Sequence, residues 1–335
     1  MTSVGAQTLV PIPEDSQPLM AGARGRGLRL VWLRLLVFVL PIVLVVAPIV
    51  YWVDPFAFFA KHSAIPMELR SHYAGPINQE LWKVLAFNRE PSPNILVGDS
   101  QVAQLSEEDV DSVTGMHYSN LGAGGATLRE TISVFWFASQ RTSLRRVYFG
   151  VNFLGYNADP RDRFPQAEGI LRDPVVYFVN SDVLEAGVYD IGEFAFHHQT
   201  NLGPQVNREA WWQSQLQYLT GRYKREADPG DLRDRLREVV QYSREHGIAF
   251  TFVIAPQHID AQRRIRQLGV EASYQRFKDD LAGMAPVLDC DIDSPLTRDK
   301  NNYGDPFHLT HGAAAQLVSD LWSGHPTYCR SLGSH

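Results

Sequence analysis

The strongest hydrophobic pattern in the chain is the run Leu35–Val53, nineteen residues without a charge and without a polar face. At about 1.5 Å of rise per residue, a helix of that length matches the thickness of a bilayer's hydrocarbon core. Trp32 stands at one end and Tyr51 and Trp52 at the other, where amphipathic rings favour the headgroup layer. Pro41 and Pro48 interrupt the run, and prolines are tolerated in membrane spans. Arg24, Arg26, Arg29 and Arg34 crowd its N-terminal side, whereas the next basic residues downstream are Lys61 and Arg70. The positive-inside rule then predicts a single-pass helix over 30–53, with residues 1–29 in the cytoplasm and everything after Asp54 outside. A cleaved signal peptide is the competing reading. The run is longer than an ordinary signal core, and proline follows the one suitable small residue, Ala47.

The rest of the pattern is that of an α/β chain. The leader Met1–Ala23 is rich in Pro, Gly, Ser and Ala, has little to bury, and reads as disordered. A membrane-proximal segment, 54–93, holds a helical stretch at Asn78–Phe87 and is stopped by Glu90-Pro91-Ser92-Pro93. Short apolar runs at Asn94–Val97, Met116–Leu121, Arg145–Phe149, Ile248–Ala255 and Pro286–Cys290 suit strands buried on both faces. Helical spacing appears at Gln101–Val110, Asp231–Glu245, Gln262–Met284 and from Thr310, a candidate N-cap, to Trp322. The pattern thus bounds a domain at 94–325, with a tail at 326–335. Within it lies an aromatic- and proline-rich insertion at 156–230. Phe194, Phe196, Trp211, Trp212 and Tyr218 of that insertion either pack its own core or line a lid or acceptor groove.

Composition narrows the function classes. A formal net charge of −6 on 335 residues offers no basic footprint for nucleic acid. Two cysteines, Cys290 and Cys329, are too few for a thiolate zinc cluster or a disulfide framework. In an exported domain they have the option of pairing and pinning the C-terminal tail, which spacing leaves open.

Candidate chemistry sits at the strand ends. Gly98-Asp99-Ser100 follows the first strand directly and opens a helix. That places Ser100 where open α/β sheets bind ligands, beside backbone N–H groups able to meet a developing oxyanion. By itself G-D-S is also an ordinary helix cap. The second strand leads into Asn120-Leu121-Gly122-Ala123-Gly124-Gly125-Ala126-Thr127, whose glycines leave backbone donors accessible. No G-K-[ST] follows, so this is not a phosphate loop. The third strand delivers Gly150-Val151-Asn152, whose side-chain amide is a further donor, and Asn157 in a later G-x-N is its rival. Of the eleven histidines, only His308 has an aspartate three residues before it, Asp305. Such a carboxylate can fix the ring's tautomer and leave the other nitrogen to accept a serine proton. A surface turn and a metal site built from Asp305, His308 and His311 are alternatives, the latter lacking a fourth ligand at telling spacing.

Taken in order, these four pieces resemble the SGNH (GDSL-like) hydrolase superfamily. Ser100 matches its nucleophile block. Gly125 matches the glycine of the second block, with Gly122 and Gly124 as further candidates, and Asn152 matches the asparagine of the third. Asp305 and His308 match the closing D-x-x-H. The resemblance runs from about Asn94 to Trp322, and only the blocks are specific. Phe153 stands where many members carry aspartate, and Gln101 where leucine often follows G-D-S.

The resemblance implies a flavodoxin-like, three-layer α/β/α fold with a parallel sheet. It also implies a Ser100–His308–Asp305 triad with an oxyanion hole of Ser100, Gly125 and Asn152, and no cofactor or metal. With the predicted anchor, the chain is similar to envelope acyl-transfer members such as alginate O-acetyltransferases and the D-alanyl-transfer proteins of teichoic acid. The expectation is therefore an extracytoplasmic serine O-acyltransferase acting on an acylated envelope glycan beside a multi-pass membrane acyl donor. An esterase or deacetylase of the same fold, and a non-catalytic glycan-binding or scaffold protein, are the alternatives.

Overall fold

The structure, a computed structural model, describes residues 21–59, 63–202, 207–223 and 228–333; within the first helix the side chains of 21–28, 30, 31, 38, 39, 41 and 42 are not described. Most of the expected leader thus lies outside the described residues. Two units are distinguished, Met1–Ile49 and Val50–His335.

The first unit holds most of a helix, Ala21–Val53, which contains the apolar run. Among the described residues no helix is long and apolar enough to cross a membrane. The single-pass span read from the sequence therefore gains no support from the structure, although four side chains in the middle of that run, at 38, 39, 41 and 42, are not described.

The second unit is built on a six-stranded sheet. Its strands are β1 (Asn94–Val97), β2 (Ser119–Asn120), β3 (Arg146–Gly150), β4 (Ala249–Ile254), β5 (Val287–Asp289) and, after a separate hairpin of β6 (Tyr303–Asp305) and β7 (His308–Leu309), β8 (Arg330–Leu332). The order is β2-β1-β3-β4-β5-β8. The first five strands are parallel, and β8 runs antiparallel along β5. Five short apolar runs separated by helical stretches can only be buried as parallel strands covered by helices.

Alternation along β3 shows the two covered faces. Tyr148 packs toward Tyr118 and Trp322, and Phe149 packs toward Phe250 and Phe252. One core joins Leu96, Val102, Tyr118 and Leu296 to Leu317 and Val318 of the helix His311–Leu321.

Several elements differ from the expected ones for local reasons. The stretch Gln101–Val110 divides into helices Ser100–Ala103 and Glu107–Thr114, because the Ser106 hydroxyl caps the second by accepting from the Asp109 N–H. Gln262–Met284 divides into Ile259–Gln267 and Glu271–Ala282 at Gly269, whose φ of +69° ends the first helix. The strand expected over Met116–Leu121 is only two residues long.

The insertion is helical, with Phe164–Arg172, Pro174–Val179, Ser181–Phe196 and Arg208–Tyr223. Residues 54–93 form helices Met67–Ile77 and Gln79–Arg89 inside the compact unit. Arg330–Leu332, in the expected tail, extends the sheet. Cys290 and Cys329 are disulfide-bonded across 39 residues, joining the end of β5 to the start of β8. Loop-closure entropy for such a ring stabilises by about 4 kcal/mol.

Candidate active site

The strand order sets the location. The chain leaves β1 for β2 on one side and later for β3 on the other, so the crevice beyond the ends of β1 and β3 is the topological switch point. Gly98 ends β1 and Gly150 ends β3. A Cβ on either would collide with the Val102 side chain. These two glycines let the turn carrying Ser100 sit directly against the neighbouring strand, which is the physical reason for glycine in both G-D-S and G-V-N.

Ser100 opens the helix Ser100–Ala103, and the Asp99 carboxylate caps it by accepting from the Gln101 N–H at 3.0 Å. Across the crevice, Asp305 and His308 are register partners in the β6–β7 hairpin. Asp305 Oδ1 accepts from the N–H groups of Phe307 and His308, both at 3.0 Å, and Oδ2 lies 2.7 Å from His308 Nδ1. His308 Nε2 lies 2.8 Å from Ser100 Oγ. Residues 208 positions apart thus form one hydrogen-bonded line, Asp305–His308–Ser100. A ring whose Nδ1–H is held by carboxylate has Nε2 free to accept the serine proton.

Three glycines were candidates for the oxyanion donor, and the bonding separates them. The Gly122 N–H donates to Asn120 Oδ1 at 2.9 Å, and the Gly124 N–H donates to Gln79 Oε1 at 2.7 Å. Among the described residues, the Gly125 N–H has no protein acceptor, nor has that of Ser100. Gly125 adopts φ +67°, in the left-handed region that favours glycine, and lines the same cavity as Ser100. The helix at Ser100 has only four residues, too short for an appreciable dipole. These two N–H groups therefore act as individual donors.

Asn152 is placed in the crevice, but its amide is not free. Both N–H groups of Nδ2 are taken, one by Asp99 Oδ2 and one by Gln101 Oε1 at 2.9 Å, while its Oδ1 accepts from the Gly155 N–H at 2.6 Å. Donation to an oxyanion requires one of those bonds to open. Its rival Asn157 also lines the cavity, yet its amide is turned to its own loop, onto the Leu154 carbonyl. His311 starts the following helix. Among the described residues no group of three or more His, Cys, Asp or Glu side chains is placed to hold a metal ion.

Sequence reasoning missed the residues that hold this arrangement. Asp99 is more than a cap. Burial raises its carboxyl above the usual range, opposed by the Gln101 N–H, by the positive character of His308 and by Asn152. Gln101 is buried and bridges both halves of the site, accepting from Asn152 and donating through Nε2 to the Phe307 carbonyl at 3.0 Å. Gly124 is clamped through its N–H by Gln79 and through its carbonyl by Arg163 Nη2 at 3.2 Å. Behind it, Lys83 donates to the Gly122 carbonyl at 2.6 Å, with its pKa lowered to about 8 by burial and partly restored by Glu107. Phe153 packs against Tyr223 of the insertion and against Tyr274 and Phe277 of the helix Glu271–Ala282, so an apolar ring at this position joins the two. Asp99, Gln101, Gly124 and Phe153 were visible beside the motifs without their roles, whereas Gln79, Lys83 and Arg163 gave no sequence signal.

Gln101→Leu keeps the side chain's bulk but leaves the Phe307 carbonyl and one Asn152 N–H unpartnered. Misplacing the His308 loop by a fraction of an ångström is expected to lower kcat about tenfold or more with KM nearly unchanged. The rate of the 4-nitrophenolate burst from 4-nitrophenyl acetate, and the steady rate that follows when a polysaccharide acceptor is present, check this, and unchanged rates would show that the bridge is dispensable.

The Asp305–His308–Ser100 line opens into a cavity of about 410 Å³. Besides Ser100, Gly125 and His308, its walls include Asn157, Gln215, Tyr218, Arg222 and Gln257. Gln215, Tyr218 and Arg222 lie three and four residues apart on the helix Arg208–Tyr223, so one face of the insertion forms a wall of the cavity.

No model of a known protein family matches the chain, and no curated protein matches it. Solved structures with a similar arrangement exist. One is a protein from Desulfitobacterium hafniense DCB-2 assigned to the G-D-S-L lipolytic family, at 12% identity and a TM-score of 0.33, covering 68% of this chain and 95% of its own. Another, from Bacteroides fragilis NCTC 9343 and assigned as an acylhydrolase, has 13% identity and a TM-score of 0.36, covering 71% and 93%. A third, from Streptococcus pneumonia and assigned as a platelet activating factor, has 14% identity and a TM-score of 0.36, covering 73% and 91%. At such scores these likenesses carry no argument about reaction or substrate, which rest on the geometry above.

Proposed function

We propose that this chain is a serine acyl-transfer enzyme of the SGNH type that moves an acyl group on an envelope glycan. The observation that carries the reading is the line Asp305–His308–Ser100, with contacts of 2.7 and 2.8 Å, opening into a cavity beside the free N–H groups of Ser100 and Gly125.

His308 Nε2 accepts the proton of Ser100 Oγ as the oxygen attacks an ester carbonyl. The Ser100 and Gly125 N–H groups donate to the resulting oxyanion, each contributing about 3–4 kcal/mol of barrier lowering where such donors are preorganised. The tetrahedral species collapses by breaking the ester C–O bond, and the leaving alkoxide takes the proton from His308. The acyl-serine is then attacked by a second hydroxyl, whose proton passes to His308; the second tetrahedral species collapses by breaking the Ser100 Oγ–C bond, and Oγ takes that proton back from His308 Nε2. A sugar hydroxyl makes the enzyme an O-acyltransferase, and water makes it an esterase.

Transfer at the cell envelope is supported by three separate observations. Polar groups from the insertion line the cavity, as a hydroxyl-rich acceptor needs. The Cys290–Cys329 bond suits an oxidising, extracytoplasmic compartment. The apolar run Leu35–Val53 with arginines before it is the sequence basis for an anchor. Such an anchor raises the effective concentration of a membrane-bound acyl donor or a growing polymer.

Incubating the full-length protein with 4-nitrophenyl acetate and following the mass of the Ser100 peptide tests this. An acetyl-Ser100 adduct that persists in water and clears on addition of a polysaccharide is the expected result. Sustained 4-nitrophenolate release without acceptor, with or without a visible adduct, would make the protein an esterase, and absence of both adduct and 4-nitrophenolate release above the Ser100→Ala level would leave only a non-catalytic binding role.

A further inference from the structure

The charge balance of the cavity is uneven on the side built by the insertion. Arg161 lines it, but its guanidinium is committed, with Nε 3.1 Å from both carboxylate oxygens of Asp159 and Nη2 2.9 Å from Oδ2. That fork holds the Asp159 carboxyl below its usual range. Arg222 lines the same wall from the helix Arg208–Tyr223. Among the described residues, its guanidinium makes no hydrogen bond and no ion pair. It rests over the Tyr218 ring at 5.9 Å from the centroid, and its charge is felt by Asp159. On the part of the cavity wall built by the insertion, two cations, Arg161 and Arg222, therefore stand against one carboxylate, Asp159, which leaves that part net positive. A guanidinium held by a ring face and lacking an acceptor retains five donors in a fork that fits a planar or tetrahedral oxyanion.

We infer that Arg222 binds an anionic substituent, a carboxylate, sulfate or phosphate, on the acylated sugar whose ester is presented to Ser100. This rests on the acyl-transfer reading and adds the charge of its substrate. Asn157, Gln215 and Gln257 supply neutral donors and acceptors for the hydroxyls, and Tyr218 an apolar ring beside the charged group.

Three sugars identical except at C6 separate the possibilities: 2-O-acetylated methyl glucoside, its glucuronoside and its 6-sulfate. The full-length protein is expected to turn over one or both anionic esters at least about tenfold faster in kcat/KM than the neutral one, as one charge-assisted contact allows. The preference should shrink as salt is raised. Arg222→Gln should bring the ratio close to one, and Arg222→Lys, which keeps the charge and loses the fork, should retain part of it. Comparing the two anionic arms tells a carboxylate site from a sulfate or phosphate site. Equal turnover of all three esters by the wild type, or a ratio that survives in Arg222→Gln, would overturn the inference while leaving the catalytic reading intact. Equilibrium dialysis of the three unacetylated sugars against Ser100→Ala protein gives a readout independent of chemistry. Selective retention of an anionic sugar supports the Arg222 site even if no acyl-enzyme forms, and equal retention rejects it.

Discussion

Ser100→Ala is expected to lower the turnover of any activated ester by about 10⁴-fold or more, to the level supplied by binding and the oxyanion donors alone. In the proposed reaction Oγ is both the nucleophile and the group His308 serves, from 2.8 Å, so no neighbouring atom can replace it. His308→Ala should cost about as much, and the double variant little more than either single one, because the two side chains act as a unit. Folding should be unaffected, since the lost side chain makes a single hydrogen bond worth about 1 kcal/mol. Initial rates of 4-nitrophenolate release for the three variants, with thermal unfolding as a control, decide the matter. If Ser100→Ala kept a tenth of the activity, another nucleophile would have to be found. Additive losses would break the unit assigned to Ser100 and His308.

A large loss of stability is expected at Lys278, far from the reacting atoms. Its ammonium group is almost wholly buried and donates to Asp289 Oδ1 at 2.8 Å, Oδ2 at 2.7 Å and the Asp291 carbonyl at 3.0 Å. Asp289 is fully buried at the end of β5, and its second cation, Arg330, reaches it from the sheet edge at 2.9 Å. Lys278→Met preserves length and apolar packing but takes from the buried Asp289 carboxylate the cation that contacts both its oxygens, leaving it Arg330 and the Asp291 N–H. Breaking a buried pair from one side costs about 3–5 kcal/mol. Pairing the change with Asp289→Leu removes the stranded charge and should recover most of that loss. Denaturant midpoints for wild type, single and double variants measure it. A single variant within 1 kcal/mol of wild type, by the same principle, would mean that Arg330 suffices.

How much of this was legible beforehand differs by element. The five parallel strands could be read because each is a short apolar run bounded by turn residues, and burial on both faces erases any alternation that would suggest another class. Helix breaks at Ser106 and Gly269 were not legible, since an apolar spacing can run through a break that a single cap or left-handed residue imposes. Ser100, Asp305 and His308 were legible from their order and local motifs, and the hairpin register brings the latter two together. Gly125 was the choice made from the resemblance, with Gly122 and Gly124 behind it, and the hydrogen bonds that engage the N–H groups of those two supply the physical reason. Asn152 was placed correctly in the crevice, but its engaged amide followed from Asp99 and Gln101, residues whose reach depends on three strand ends meeting.

The amino-acid sequence by itself determined the α/β class and named Ser100, His308 and Asp305 as the candidates for a Ser–His–Asp line, because these depend on local pattern and on which atoms are chemically able to act. The pairing of Cys290 with Cys329, the incorporation of residues 54–93 into the same compact unit, and the choice of oxyanion donor depended on distances between segments far apart in the chain. So did the guanidinium of Arg222, unpaired among the described residues, since whether a charge is free is a statement about what surrounds it. Only the tertiary structure, which sets those surroundings, decided them.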